Sequence, residues 1–361
     1  MYFNLRLIQG VERPDYSKWV PSQDRPFFSV SRESMEKVWE EMAESLQQVY
    51  SEARVAVGDG RDRGGRPYPD MIVFPEWYVD RGRIRDLRRF SMQSGIAILC
   101  GLLPYELPRA VPVVRDVRKV GLRCLVNEAV LIMPGSETRG TRHSGSSHGK
   151  DYEFDLPTEV YKFSIRKCIP AVSEVGLLKA LEDVFPGTDW RFGCGDAWKC
   201  FFHPRWGNFV VTICADVLTS GEWEDLKGSL DHIFILAYNQ DIDLYEQVTW
   251  AKGYELYANA ITVNHGMYGG TTVWTPKHEY RKEIFRVRGS QKGLAIPVSV
   301  PVKDLRLARE VQYECKLREK VEEWRKQLRR PKGKEEEIDV CKRLKDFKTP
   351  PPKVRHERDR G

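Results

Sequence analysis

Alternation of apolar and polar positions starts at once. Phe3, Leu5 and Leu7 share one face of a period-two pattern that ends near Gly10, which predicts a first strand over Tyr2 to Gln9. After a Pro-rich loop the period changes. Met35, Val38, Trp39, Met42, Leu46 and Val49 recur at helical spacing and predict an amphipathic helix with its stripe in the core. Short apolar runs then follow one another at Met71 to Phe74, Ile96 to Leu99, Leu122 to Met133, Phe209 to Ile213, His232 to Ala237, Ile261 to Asn264 and Leu294 to Val300. Their length and turn-like flanks predict buried strands. In Glu159 to Glu174 the first part alternates like a strand and the end turns at Pro170, and Lys199 to Phe202 is a further predicted strand. Between them lie a basic helix over Arg81 to Met92 and a second helix over Asp243 to Asn259, with Leu244, Val248, Ala251 and Tyr254 on one face. Repeated strand–helix alternation without a solenoid period predicts an α/β fold.

Composition sharpens this picture in three places. The 361 residues suffice for a large core, and no apolar run has transmembrane length. With no secretory pattern at the start, a soluble, cytoplasmic protein is expected. The eight cysteines show no Cys-x-x-Cys and no framework spacing, which fits reduced thiols. Cys194, Cys200 and His203 form only part of a zinc set and lack a fourth ligand. No phosphate-cradling Gly motif stands out in the Gly/Arg/Asp-rich loop from Gly58 to Pro69, and no cofactor is expected.

Charge divides the chain. Residues 303 to 361 hold 20 Lys and Arg against 13 Asp and Glu, so the net charge of +6 resides there and the rest is near neutral. The division predicts a domain over 1–302 and a basic tail over 303–361. Leu307, Val311, Cys315 and Trp324 suggest a charged helix to about Leu328, which Pro331 stops. The charge- and proline-rich remainder reads as disordered. Nucleic-acid contact through this tail is a weaker expectation, because aromatics for stacking are nearly absent beyond Trp324 and Phe347. His143 and His148 lie in a Ser/Gly/His-rich stretch, Gly135 to Lys150, that reads as a mobile loop.

Candidate chemistry gathers at three strand ends. The strand Phe209 to Ile213 runs into Cys214, followed by Asp216 and a turn-like Leu-Thr-Ser-Gly. A thiol at a strand-to-helix turn faces backbone N–H groups and the positive helix end, which favour the nucleophilic thiolate. Taken alone, Cys214 reads more readily as a core cysteine than as a nucleophile. Glu76 follows the strand Met71 to Phe74 among Phe74, Pro75, Trp77 and Tyr78. A carboxylate desolvated there has a raised pKa, as a general base near neutrality needs. Lys167 precedes Cys168, Ile169 and Pro170, where a cation can lower a thiol's pKa and hold an oxyanion. Nucleophile, base and cation form a complete set for attack on a carbon multiply bonded to nitrogen or oxygen.

The segments that carry these groups resemble the nitrilase (carbon–nitrogen hydrolase) superfamily. Pro69-Asp-Met-Ile-Val-Phe-Pro-Glu76 is similar to that family's glutamate motif, Arg166-Lys-Cys-Ile-Pro170 to its lysine motif and Ile213-Cys-Ala-Asp216 to its cysteine motif. Asn127, and later Val263-Asn264 with Gly269-Gly-Thr271, match further family elements. The resemblance covers residues 1 to about 300. It implies a four-layer α-β-β-α sandwich and hydrolysis of a small-molecule amide, more than a nitrile, through a thioester on Cys214. Glu76 would act as base, Lys167 as oxyanion partner and Glu174 as an auxiliary glutamate. It also implies a homo-oligomer. Lys162 is the other lysine able to match, although Pro170 and Glu174 fall in better register with Lys167. Ala215 stands where many members carry an aromatic, which implies a wider pocket. Two alternatives use the same scaffold: an acyltransferase, in which an amine takes the thioester, and a non-catalytic binding module.

Overall fold

Neighbouring side chains of one short run go to opposite layers. In the strand Met71–Val73, Met71 and Val73 join one apolar cluster while Ile72 joins another. A strand buried on both faces needs no polar alternation, which is why these runs read as continuous apolar stretches. The computed structural model describes residues 2–10, 12, 20–21, 28–29, 32–58, 69–106, 122–135, 137–142, 152–157, 159–184, 189–195, 198–219, 223–277, 282–289 and 294–314.

In chain order the elements are β1 (Tyr2–Gln9), β2 (Val20–Pro21), β3 (Phe28–Ser29), α1 (Arg32–Gly58), β4 (Met71–Val73), α2 (Ile84–Ser94), β5 (Ala97–Gly101) and β6 (Tyr105–Glu106). Then come β7 (Leu122–Val126), β8 (Glu128–Pro134), β9 (Glu137–Arg142), β10 (Tyr152–Pro157), β11 (Val160–Arg166), α3 (Val172–Val184) and β12 (Asp189–Phe192). The remainder is β13 (Cys200–His203), β14 (Gly207–Ile213), β15 (His232–Ala237), α4 (Ile242–Glu255), β16 (Asn259–Asn264), β17 (Gly269–Trp274), β18 (Glu283–Arg288), β19 (Leu294–Pro301) and α5 (Lys303–Glu314).

Two six-stranded sheets carry the architecture, in the orders β11-β8-β5-β4-β1-β19 and β13-β14-β15-β16-β17-β18. Their facing residues merge into one cluster, with Phe3, Leu5, Leu7, Met71, Val73 and Leu99 of the first against Phe209, Val211, Ile213 and Phe234 of the second. The far face of the first sheet is covered by α1, through Val38, Met42, Leu46 and Val49, and by Leu87 of α2. On the second sheet, α4 packs against β16 and β17. The layers are therefore α-β-β-α, as expected. β1 and β19 pair antiparallel along their whole length, from Tyr2 opposite Pro301 to Gln9 opposite Leu294.

The helix starting at Lys303 belongs to this body. Its Leu305 and Ala308 pack on Tyr257, and two of its arginines reach Asp231, just ahead of β15. Arg306 bonds Asp231 Oδ2 at 3.0 and 2.6 Å. Arg309 bonds Oδ1, and also the carbonyls of Gly228 and Leu230 at 2.8 and 2.9 Å. Burial alone would raise the Asp231 carboxyl, but the two guanidiniums prevail and hold it below its usual range. The tail beyond residue 314, with Trp324 and Pro331, lies outside the described residues, as do residues 59–68, His143 and His148.

Two expectations change. The run from Leu122 to Met133 is two strands: β7 belongs to a small sheet with β6 and β12, and β8 to the first large sheet. Asn127 is the break, and an apolar run alone does not show a change of sheet. On α4 the buried residues are Tyr245, Glu246, Thr249 and Gly253, and Leu244 and Ala251 are exposed. Of the expected stripe of Leu244, Val248, Ala251 and Tyr254, Val248 packs on the core while Leu244 and Ala251 lie outside the packed face. Polar partners take their place: Thr249 Oγ1 meets Thr262 Oγ1 on β16 at 2.7 Å, and Glu246 pairs with Arg286 and Arg288 of β18.

Candidate active site

Parallel strands deliver the site. β1, β4 and β5 run parallel in the first sheet, and β14, β15 and β16 in the second. The carboxyl ends of such strands are where open α/β sheets place ligands. Glu76 follows β4, Cys214 follows β14, Tyr238 and Asn239 follow β15, and Asn264 ends β16. Lys167 follows β11, and Glu174 lies in the first turn of α3.

Glu76, Lys167 and Glu174 form one buried array, each 2 % exposed or less. Lys167 Nζ lies 3.0 Å from Glu76 Oε1 and 2.8 Å from Glu174 Oε2. Asn127 Nδ2 closes the ring, donating to Glu76 Oε1 and to Glu174 Oε1 at 2.6 Å each. The Tyr238 N–H donates to Glu76 Oε2 at 2.9 Å, and the Ala171 N–H to Glu174 Oε2 at 2.7 Å. Two carboxylates thus share one ammonium. Burial first, and then the negative charge of Glu174, raise the Glu76 pKa against the pull of Lys167 and Asn127. For Lys167, burial would lower the pKa, but Glu76, Cys214 and Glu174 outweigh it and hold the ammonium charged. Lys162 is exposed on β11 and is not part of this array.

Cys214 is 3 % exposed and adopts φ 48°, the left-handed region that non-glycine residues enter only when the surroundings impose it. It opens a five-residue 3-10 turn, Cys214–Leu218. Asp216 in that turn binds back on the lysine loop: its Oδ1 accepts the Cys168 and Ile169 N–H groups, both at 2.9 Å. One carboxylate therefore fixes the Lys167 segment relative to the Cys214 turn. Burial pushes Asp216 up to about 6 despite these bonds.

The expected thiolate-favouring environment is not what surrounds Cys214. Burial, and then the charge of Glu76, push its thiol up to about 12, while Lys167, Tyr245 and Asn239 pull the other way. A turn of five residues supplies little of the aligned dipole that a longer helix would. The thiol therefore keeps its proton at rest.

Sequence reasoning missed the groups on the second sheet that touch this centre. The Tyr245 hydroxyl lies 3.1 Å from Cys214 Sγ, and Asn239 Nδ2 lies 3.8 Å from it. Asn264 locks the loop that carries Tyr238 and Asn239: its Oδ1 accepts the Asn239 N–H at 2.9 Å, and its Nδ2 donates to the Asn239 and Gly269 carbonyls at 2.7 and 2.6 Å. Gly269 and Gly270 hold φ 76° and 81°, where glycine is favoured, and a Cβ on Gly269 would lie 2.4 Å from the Gly289 carbonyl oxygen. The Val-Asn…Gly-Gly signal pointed at this support without showing what it supports. Trp77 and Tyr268 both pack on Tyr238, at ring separations of 5.4 and 5.3 Å, whereas Trp223 lies in the core. No group of three metal-ligating side chains occurs among the described residues, and no described helix is long and apolar enough to cross a membrane.

No protein-family model and no curated protein matches the chain. Solved structures with a similar chain path include an amidase from Nesterenkonia sp., 14 % identical, covering 87 % of this chain and 96 % of that one at a TM-score of 0.45. A CN-hydrolase superfamily protein from Xanthomonas campestris with an arsenic adduct in its active site is 12 % identical, covering 86 % and 94 % at 0.45. A mutant of the Nesterenkonia amidase in complex with butyramide is 14 % identical, covering 87 % and 97 % at 0.44. Likenesses this distant carry no conclusion about family or activity.

Proposed function

We propose that this protein hydrolyses a non-peptide carbon–nitrogen bond of a small molecule, an amide in preference to a nitrile, through a thioester on Cys214. The observation that supports this most is the union, from three distant segments, of a strained buried cysteine with a carboxylate of raised pKa and a lysine whose neighbours favour its charged form.

Hydrogen-bond valence supports the roles given below. Glu76 Oε1 is filled by Lys167 and Asn127, while among the described residues Oε2 accepts only the Tyr238 N–H, which leaves a lone pair for the thiol proton. A raised pKa suits a base that later returns that proton. Glu76 takes the proton, the sulfur electron pair attacks the amide carbon, and the carbonyl electrons move onto oxygen. Lys167 has three N–H donors, of which Glu76 and Glu174 use two. The third serves the oxyanion, and a donor in that position is worth about a hundredfold or more in rate. Protonated Glu76 gives its proton to the leaving amine as the carbon–nitrogen bond breaks. It then activates water, which cleaves the thioester to acid and free thiol. Glu174 and Asn127 position Lys167 and Glu76 throughout.

The test is intact-mass analysis of the full chain after exposure to a mixed amide and nitrile library. An acyl adduct located on Cys214, lost together with turnover in Cys214→Ala, is the expected result. An adduct that water does not clear but an added amine does would identify an acyltransferase. Turnover that survives in Cys214→Ala would end the proposal.

A further inference from the structure

Tyr245 has no part in the proton transfers above, yet its hydroxyl stands at short hydrogen-bonding range, 3.1 Å, from the nucleophilic sulfur. The ring is buried, and its position on α4 is fixed from both sides. Asp241 caps the helix by accepting the Leu244 N–H at 3.2 Å. One turn later Thr249 Oγ1 donates to the Tyr245 carbonyl at 2.5 Å and meets Thr262 of β16 at 2.7 Å. The hydroxyl is therefore held at the sulfur by a helix tied to the second sheet, and the other half of the site comes from the first.

We infer that Tyr245 is a catalytic residue of this site, its O–H donating a hydrogen bond to the Cys214 thiolate formed when Glu76 removes the thiol proton. In that step the S–H bond breaks, the proton passes to Glu76, the electron pair stays on sulfur, and Tyr245 keeps its own proton. The buried sulfur needs such a donor. Among the described residues its facing cation is Lys167, already shared by Glu76 and Glu174, while Glu76 itself opposes the anion. The other groups around the sulfur are neutral Asn239 at 3.8 Å and, on its own turn, Asp216, whose carboxylate is occupied by the Cys168 and Ile169 amides. Burial, and then the charge of Cys214, push the Tyr245 hydroxyl well above its ordinary value, so it acts as a donor and not as an acid. The catalytic consequence rests on the hydrolase proposal above, but the thiolate contact can be measured without any substrate.

The experiment is the rate of iodoacetamide alkylation of the full chain at fixed pH values from about 7 to 10, followed on the Cys214 peptide by mass spectrometry. A hydrogen bond to a charged group shifts such an equilibrium by about tenfold to a hundredfold. Tyr245→Phe should slow alkylation by that factor at every pH, moving the profile upward by about one to two pH units. Removal of one oxygen widens access to the sulfur, so steric blocking would not produce this result. A fluorotyrosine at 245 keeps the ring shape with a stronger O–H donor and should move the profile downward, which decides the matter even where Tyr245→Phe folds poorly. Alkylation by Tyr245→Phe at the wild-type rate or faster, or an unmoved fluorotyrosine profile, overturns the inference. Failure of the hydrolase proposal is separately visible as a wild-type Cys214 that alkylates yet never carries an acyl group from the amide library.

Discussion

Glu76 and Asp231 are buried carboxylates at opposite ends of β15, and their surroundings drive them in opposite directions. Glu76 takes a hydrogen bond from Tyr238, just past the strand, while Asp231 sits just before it. At Asp231 two guanidiniums and the Asn208 N–H serve one acid, and its pKa falls below the usual range. At Glu76 one ammonium serves two acids, and the pKa rises. The count of cations per carboxylate separates an acid that fastens a helix from one suited to exchanging protons. Burial is common to both.

The strongest way to break this comparison is to neutralise each acid in turn. Glu76→Gln should cost about a hundredfold to ten-thousandfold in turnover of the amide identified by adduct formation, with little change in melting temperature. Asp231→Asn should do the reverse, keeping turnover per folded molecule while losing about 3–5 kcal/mol in denaturant unfolding, because two arginines are left facing no charge. If both variants lost only stability, the two acids would be alike. Lys167→Met comes next, with about a hundredfold to a thousandfold loss of kcat expected in steady-state assays.

Acid sharpens the contrast. A base with a raised pKa loses its charge early, so the acid limb of kcat/KM should lie above pH 4.5, the ordinary glutamate value. A depressed aspartate contributes stability above its unfolded value of 3.8 and loses it only as pH falls through the lower folded value. Between these limits the protein should be inactive while its circular dichroism and the Asp231 contribution to melting persist. Loss of fold and of rate at the same pH would contradict the assignment. The smallest effect expected is that of Gly101→Ala. A Cβ there would lie 2.5 Å from Glu76 Cα and 2.6 Å from the Pro75 carbonyl oxygen, so the Glu76 backbone must move. A loss of about 1–3 kcal/mol in unfolding, with kcat falling and the Asp231 side unaffected, is the outcome to check.

The central strands of both sheets were legible because burial on two faces writes itself as short apolar runs; β18, with side chains half-buried or exposed, was not. Glu76, Lys167 and Cys214 were legible as candidates because each stands just past a predicted strand, whereas Glu174 came only from the resemblance of its segment to the family's lysine motif. Tyr245 was not legible. The packed face of α4 is built of Tyr245, Glu246, Thr249 and Gly253, whose polar groups find partners on β16, on β18 and at Cys214. Such pairing is a property of the assembled layers, and hydrophobic spacing carries no trace of it. The thiol's electrostatics were hidden for a related reason. Local sequence announces a turn after β14, but the opposing charge on the sulfur comes from Glu76, 138 positions away in the chain.

The antiparallel pairing of β1 with β19 also bears on how the protein is made. During synthesis β1 emerges well ahead of β19; β4 takes one side of it, and its other edge stays open until residues 294–301 have followed. An open edge of this kind is a template for pairing with other chains. A nascent protein halted before residue 294 displays it along β1; once β19 has paired, the edge passes to a strand whose Pro297 and Pro301 withhold donors from further pairing.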